Sequence, residues 1–310
     1  MNAIGIDFGG TTIKSGLVDG GRIVRPGTII DTQDFSGPEA ILDALGSVIG
    51  TLRADASGAA AIGIGLPGLV DSVDGIVHEL TNVEGWQDVA LRDLLRKRTG
   101  LPVTIENDAN AMAYGEWKYG AALNGRHVVC VTLGTGVGGA LILDGKLYRG
   151  AQLGAGEIGH MSIDLRGRKG PYGNFGGLEE YVGNQQIAER AAEKYREAGS
   201  PRSAAECSPA TLAAAALQGD AIAQLLWETL GDEIGAALAS VVWIINPDTI
   251  VIGGGVAKAG DLILDPIRRS IQARTMRVFH EKLRVVPAML GNDAGIIGSA
   301  ALALEAAAGV

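Results

Sequence analysis

Two stretches of the chain repeat one local grammar at a fixed spacing. Ile6-Asp-Phe-Gly-Gly-Thr-Thr-Ile-Lys-Ser-Gly-Leu-Val-Asp19-Gly20 resembles Val131-Thr-Leu-Gly-Thr-Gly-Val-Gly-Gly-Ala-Leu-Ile-Leu-Asp144-Gly145, a constant 125 residues later. Each copy reads as a strand, a glycine/threonine turn, a second strand and an Asp-Gly turn, which is the pattern of a β-hairpin. Asp-Gly after an apolar run is common among unrelated hairpins. The repeat explains more than coincidence does, because turns without large side chains let backbone N–H groups approach phosphate oxygens. Two such turns facing each other could clamp one polyphosphate, which predicts two related lobes with a nucleotide cleft between them.

Length agrees with that division: 310 residues exceed one typical core and point to two domains of about 150 each. The 47 glycines are about twice the usual share of ~7%, so many turns must be tight. A formal net charge of -9 repels a polyanion and argues against nucleic acid as the main partner. Cys130 and Cys207 are the only cysteines, too few for a disulfide framework or a cysteine-rich metal site, and they fit a reducing compartment. The start of the chain lacks the basic and apolar regions of a signal peptide. The most apolar run, Ile234 to Ile245, falls short of the ~20 residues that cross a bilayer. A cytoplasmic protein without membrane contact is expected.

Strand-like runs occur at Ala3 to Ile6, Ala61 to Gly65, Val128 to Leu133, Ala140 to Leu143 and Thr249 to Ile252. Helical patterns lie near Pro38 to Leu52, Val89 to Arg98, Ala109 to Lys118, Asn184 to Ala198, Ala221 to Ile245 and Ala294 to Ala307. The fold class is therefore α/β.

Asp7 ends the first strand just before Gly9-Gly10-Thr11-Thr12, which places its carboxylate beside the phosphate turn and suits it to hydrated Mg2+. Lys14 offers a positive charge from the second strand, and a solvated surface lysine explains it equally well. A strand rather than a helix follows the turn, so this is not the Gly-Lys-Ser/Thr phosphate loop. Glu106-Asn107-Asp108-Ala109-Asn110 sits between an apolar strand and a helical run. Helix capping is the simple explanation. Three consecutive polar side chains exceed what a cap needs, and a carboxylate at a helix start is placed to accept a proton.

Glu157, His160 and Glu179 lie on glycine-rich segments and suit recognition of several sugar hydroxyls. Glu-x-x-His could also be half of a metal site, but no third ligand with fitting spacing accompanies it. Gly253-Gly254-Gly255 follows a strand and could open a helix under a flat base or sugar. Gly63-x-Gly65-x-Pro67-Gly68 also follows a strand but lacks the full dinucleotide fingerprint, so a dehydrogenase is a poor reading.

Together these segments resemble the ROK family of bacterial sugar kinases and repressors, nearly end to end. The residues carrying the resemblance are Asp7-Phe-Gly-Gly-Thr-Thr12 with Lys14, Gly65-Leu-Pro-Gly68, Asn82-Val-Glu-Gly-Trp86, Glu106-Asn-Asp-Ala-Asn110, Leu133-Gly-Thr-Gly-Val-Gly-Gly139, Glu157-Ile-Gly-His160, Leu178-Glu179 and Gly253-Gly-Gly255. The resemblance implies a two-lobed actin/hexokinase-like ATPase fold with ribonuclease H-like lobes and an interlobe cleft. It implies a small lobe of residues 1–114 plus 292–310, a larger lobe of 115–291, and a homodimer. It implies Asp108 as general base, with Gly65, Asn82, Asn107, Glu157, His160 and Glu179 around the sugar. ATP would be held by Gly9, Gly10, Thr11, Thr12, Lys14, Gly134, Thr135, Gly136, Gly138, Gly254 and Gly255, with Mg2+ at Asp7 through water.

The family's repressor branch carries a helix-turn-helix ahead of the first strand, whereas here that strand begins by Ala3, so an enzyme is expected rather than a repressor. Many members carry a zinc site whose three cysteines follow the Glu-x-x-His histidine. The aligned stretch here is Gly170-Pro-Tyr172-Gly173-Asn-Phe-Gly176-Gly177, so all three cysteine positions are replaced and no structural zinc is expected. Packing through Tyr172 and Phe175 would hold the loop instead. Glucose is the favoured acceptor, with N-acylmannosamine, mannose, allose and fructose as alternatives. Arg166, Arg168 and Lys169, with Arg268, Arg269, Arg274 and Arg277, raise inorganic polyphosphate as another donor. A nucleotide-binding sugar sensor without catalysis is the non-enzymatic reading.

Overall fold

The computed structural model describes residues 1–35, 37–54, 58–80 and 83–309. It divides into one unit of Met1–Asn124, Leu147–Ala155 and Met289–Val310, and another of Gly125–Lys146 and Gly156–Ala288.

In the first unit, β1 (Asn2–Phe8), β2 (Thr12–Asp19), β3 (Arg22–Pro26), β4 (Ala59–Leu66) and β5 (Val103–Asn107) lie in the order β3-β2-β1-β4-β5. The β1–β2 pair is the antiparallel hairpin, while β1, β4 and β5 run parallel. Consecutive buried residues such as Ala61 to Leu66 reflect a parallel sheet covered on both faces. Helix α1 (Gly37–Ala54) buries Ile41, Leu42, Leu45 and Ile49 at helical spacing in the core shared with Ile4, Ile6 and Ile62. Helix α2 (Leu91–Thr99) ends on Gly100, whose φ of 70° is the left-handed stop that glycine adopts readily. Helix α3 (Asp108–Tyr119) follows β5 directly.

The second unit repeats the arrangement with β6 (Val128–Leu133), β7 (Val137–Leu143), β8 (Thr249–Gly253) and β9 (Arg284–Pro287), in the order β7-β6-β8-β9. Its helices include α4 (Glu179–Val182), α5 (Asn184–Glu197), α6 (Pro209–Leu217), α7 (Ala221–Ile245) and α8 (Asp261–Arg274). Helix α7 occupies the range its apolar pattern predicts: Asp220 accepts the Ile222 and Ala223 N–H groups at its start, and Asn246 ends it in the left-handed region. Helices α6 and α8 are not revealed by the sequence pattern, and in α8 the cause is Pro266, which lies inside it.

The hairpins differ in a detail that the constant spacing of the repeat conceals. Phe8 faces Ile13 across the first turn, leaving four residues in it, whereas Leu133 faces Val137 across the second, leaving three. Gly9 N–H accordingly reaches Thr12 O (2.9 Å), and Gly134 N–H reaches Gly136 O (2.9 Å). The second hairpin pairs one residue out of step with the first, so equivalent sequence positions on the returning strands face opposite sides.

The chain ends in α9 (Ala294–Ala308), which packs in the first unit. A Cβ at Gly5 would collide with the Ile296 carbonyl, and one at Gly63 with the Ser299 carbonyl, so the helix backbone rests directly on β1 and β4. Among the described residues no helix is long and apolar enough to cross a membrane.

Candidate active site

Strand register sets the first unit's functional edge. Asp7 faces Gly65 across β1–β4, Gly65 faces Glu106 across β4–β5, and Leu66 faces Asn107. Asp7, Gly65, Asn107 and Asp108 therefore stand along the C-terminal edge of three adjacent parallel strands, where open α/β sheets bind ligands. Asn82 lies outside the described residues.

The Gly9–Thr12 turn projects from this edge, with Gly10 and Thr11 exposed. Thr32 braces it from behind: its hydroxyl donates to Gly10 O (3.1 Å) and its N–H to Thr11 O (2.9 Å). Lys14 faces Asp7 across the hairpin. Burial pushes the Asp7 carboxyl above the usual carboxylate range, and the Lys14 charge opposes that shift without cancelling it. The start of α9 closes over the group, since a Cβ at Gly295 would lie 2.8 Å from Asp7 Cγ.

Asn107 is the N-cap of α3, its Oδ1 accepting the Ala109 N–H (2.9 Å) and the Asn110 N–H (3.2 Å) while its amide donates to Gly68 O (3.3 Å). Asp108 is thus the first helical residue, with Oδ1 accepting the Ala109 N–H at 2.8 Å. Gly65 lies beneath it: a Cβ there would be 3.5 Å from Asp108 Cα and 3.0 Å from Ala111 Cβ. Glu106, with only 4% of its side chain exposed, anchors the junction from inside. It accepts from Asn107 N–H (3.0 Å), Asn110 Nδ2 (3.0 Å) and Arg149 Nε (2.7 Å).

In the second unit the Gly134–Gly138 segment forms the corresponding turn at the end of β6. Glu179 reaches into it from the start of α4, and its Oε2 accepts the Val137 N–H at 2.7 Å. A Cβ at Gly136 would collide with that oxygen. Gly254 (φ 87°) packs against Leu133, just before the turn, while Gly255 has open space where a side chain would stand.

Glu157 precedes and His160 ends the short turn Ile158–His160, with His160 Nε2 4.0 Å from Glu157 Oε2. Backbone pairing joins that turn to Glu179: Ile163 N–H donates to Gly176 O (2.8 Å) and Leu178 N–H to Met161 O (3.0 Å). The structure thus gathers Glu157, His160 and Glu179 within one unit.

Between them, residues 168–177 close on themselves. Gly170 N–H donates to Asn174 O (2.8 Å), Gly176 N–H to Arg168 O (2.6 Å), and Ser162 Oγ to Phe175 O (2.7 Å). Tyr172 packs edge-on against the His160 ring, with centroids 5.1 Å apart, whereas the Phe175 side chain is half exposed. Backbone hydrogen bonds, more than aromatic packing, hold this loop. Among the described residues no group of three or more His, Cys, Asp or Glu side chains is placed to hold a metal ion.

Two supporting residues, Thr32 and Arg149, escape a reading of the sequence, and so does the anchoring role of Glu106. Thr32 carries no signal because it lies in an irregular stretch, and Arg149 none because its partner is 43 positions away. Glu106 could have been found, since a lone acidic residue ending the apolar Val103–Ile105 run must be paired if buried.

The ROK family model matches residues 3–306. The chain belongs to the ROK family. A glucokinase of Thermotoga maritima is 35% identical over 315 aligned positions, which span 98% of each chain. The crystal structure of a ROK family glucokinase from Streptomyces griseus, in complex with glucose and AMPPNP, superposes with a TM-score of 0.82 at 33% identity. That match covers 98% of this chain and all of the other. The xylose repressor of Bacillus spizizenii is 29% identical over 98% of this chain but only 77% of its own length. Like its ROK neighbours, the chain has the actin/hexokinase-like ATPase fold with ribonuclease H-like lobes.

Proposed function

We propose that this ROK protein is an ATP-dependent hexose kinase whose preferred reaction converts glucose to glucose 6-phosphate. The observation that carries the reading is the aligned strand edge, which presents Asp7 and Asp108 along one edge of the sheet, at the C-terminal ends of β1 and β5 with β4 between them. The full-length likeness to glucokinases supports it.

In this reading Asp108 accepts the proton of the primary hydroxyl as that oxygen attacks the γ-phosphoryl group. Because Asn107 supplies the helix cap, the Asp108 carboxylate is not required for capping. Positioned acid/base groups contribute roughly 10² to 10⁴-fold, and alignment and charge neutralisation supply the rest. Amides of Gly9, Gly10, Thr11 and Thr12, and of Gly134, Thr135, Gly136 and Gly138, receive phosphate oxygens, with Lys14 adding charge and Gly254 and Gly255 admitting the nucleoside. Glu157, His160, Glu179, Asn107 and Gly65 surround the sugar.

The residues at Asp7 fit hydrated Mg2+, which takes one or two carboxylates and keeps several waters. A half-buried carboxyl whose pKa is raised and which faces a single lysine gains from a nearby divalent charge. When bound, the ion supplies charge neutralisation on the phosphates. A structural zinc is not part of the reading, because Gly170, Tyr172 and Gly177 offer no thiolate. Elemental analysis of protein purified without added metal should find less than stoichiometric zinc. The reading extends to a cytoplasmic homodimer, which sedimentation would test.

The deciding experiment is a coupled assay across glucose, mannose, N-acetylmannosamine, allose and fructose with ATP or polyphosphate as donor. Glucose with ATP should give the highest kcat/KM. The related xylose repressors favour a second reading, a sugar-binding protein without turnover. Sugar binding without phosphoryl transfer from either donor would support that reading and overturn the first.

A further inference from the structure

Glu179 touches more than a sugar site requires. Its Oε2 accepts the Val137 N–H at 2.7 Å and lies against Gly136, where any side chain would displace it. The same segment grips the turn twice more. Asn184 N–H donates to Gly134 O at 2.9 Å, and Gly183 lies so close to Thr135 O that a Cβ there would be 2.8 Å from it. On its other side Glu179 follows directly from the Gly176–Leu178 stretch that pairs with Met161–Ile163, one residue beyond His160. A single carboxylate therefore joins the hydroxyl-recognition loop to the phosphate turn of the same unit.

We infer that Glu179 couples the two substrates: a hexose hydroxyl bound to its carboxylate steadies the hydrogen bond to Val137, and with it the Gly134–Val137 turn that receives phosphate. The inference rests on the hexose-kinase reading. A carboxylate carries two oxygens with lone pairs to spare, so it can accept a hydroxyl and an amide together. Fixing its rotamer for one ligand lowers the ordering that the other must supply, which is positive coupling. Coupling is reciprocal: nucleotide must tighten hexose by the same factor as hexose tightens nucleotide.

The test is calorimetric titration of the full chain with glucose and with AMPPNP plus Mg2+, each alone and each in the presence of the other. In the wild-type protein each ligand should tighten the other about fivefold or more, the lower end of ordinary coupling. Gly136→Ala pushes the carboxylate from the turn side and leaves Glu179 in place. It should weaken glucose and AMPPNP each alone and bring the mutual effect well below about fivefold, the bottom of that range. Glu179→Gln approaches the same contact from the other side and should weaken both glucose affinity and coupling.

Mutual tightening that persists in both variants would overturn the role of Glu179. Binding of both ligands to the wild-type protein with no mutual effect would overturn the coupling alone. Failure of every hexose in the wild-type protein would overturn the kinase reading and the coupling with it.

Discussion

Around α3 the first unit buries two carboxylates, Glu106 and Glu116, whereas among the described residues of the second unit no acidic side chain is buried. The second core gathers Trp227, Leu230, Ile234 and Leu238 from α7 against Val129, Val131 and Ile250 of its sheet, with almost wholly apolar contacts. Burying a carboxylate is costly unless each oxygen is satisfied, and both are satisfied here. Glu116 accepts the Ala121 N–H (2.8 Å) and the Leu290 N–H (2.7 Å) at one end of α3, while Glu106 holds the other end through Arg149, Asn107 and Asn110. Such networks tolerate little displacement. The helix that presents Asp108 is thereby pinned at both ends, while the Gly134–Gly136 turn of the second unit is held by Glu179, a half-buried carboxylate.

The contrast breaks most visibly at Arg149. Arg149→Met should destabilise the protein by about 3–5 kcal/mol by leaving Glu106 buried and unpaired. The double change Glu106→Gln with Arg149→Met should recover most of that loss in urea unfolding. A single variant as stable as the wild type would mean that the pair does not anchor the junction. In the apolar second unit a core trim is milder: Ile234→Val should cost about 0.5–1.5 kcal/mol. Equal losses at Arg149 and Ile234 would erase the distinction drawn between the two interiors.

Smaller still, Thr32→Val removes one hydroxyl bond from Gly10 O, worth about 1 kcal/mol. Because the turn it braces is read as receiving phosphate, the KM for ATP should rise several-fold with the glucose KM unchanged, which steady-state kinetics would show.

The last prediction concerns sign rather than size. Burial raises the Asp7 carboxyl, so the folded protein holds that proton more tightly than the unfolded chain does. Stability is then undiminished below the unfolded pKa and falls as pH rises from there through the folded one. Asp7→Asn should therefore raise the Tm of the ligand-free protein at pH 7 while abolishing phosphoryl transfer. A Tm lowered at pH 7 and unchanged at acid pH would contradict the assignment.

Much of this was legible from local pattern. Val128–Leu133 and Ala221–Ile245 occupy the ranges their apolar spacing predicts, and the strand-to-helix step at Asn107 is marked by its own cap. What stayed hidden depends on tertiary context. Residue spacing cannot reveal that the second hairpin turn is one residue shorter, because the extra residue is absorbed within the returning strand. Pro266 conceals α8, since local propensity says break where packing of α8 against α7 says continue. Arg149 and Thr32 act across long separations, and neither bears a mark that distinguishes it from an ordinary polar residue. Glu179 was legible as a polar group on a glycine-rich loop, but its bond to the Val137 N–H was not.

The central claim is that the Asp108 carboxylate takes the proton from the attacking hydroxyl. Comparing wild-type and Asp108→Asn protein for ATP-dependent glucose phosphorylation, with glucose affinity measured in parallel, tests it most directly. The account predicts a fall in kcat of about 10²-fold or more with glucose binding within a few-fold of wild type. Undiminished turnover in the variant would contradict it.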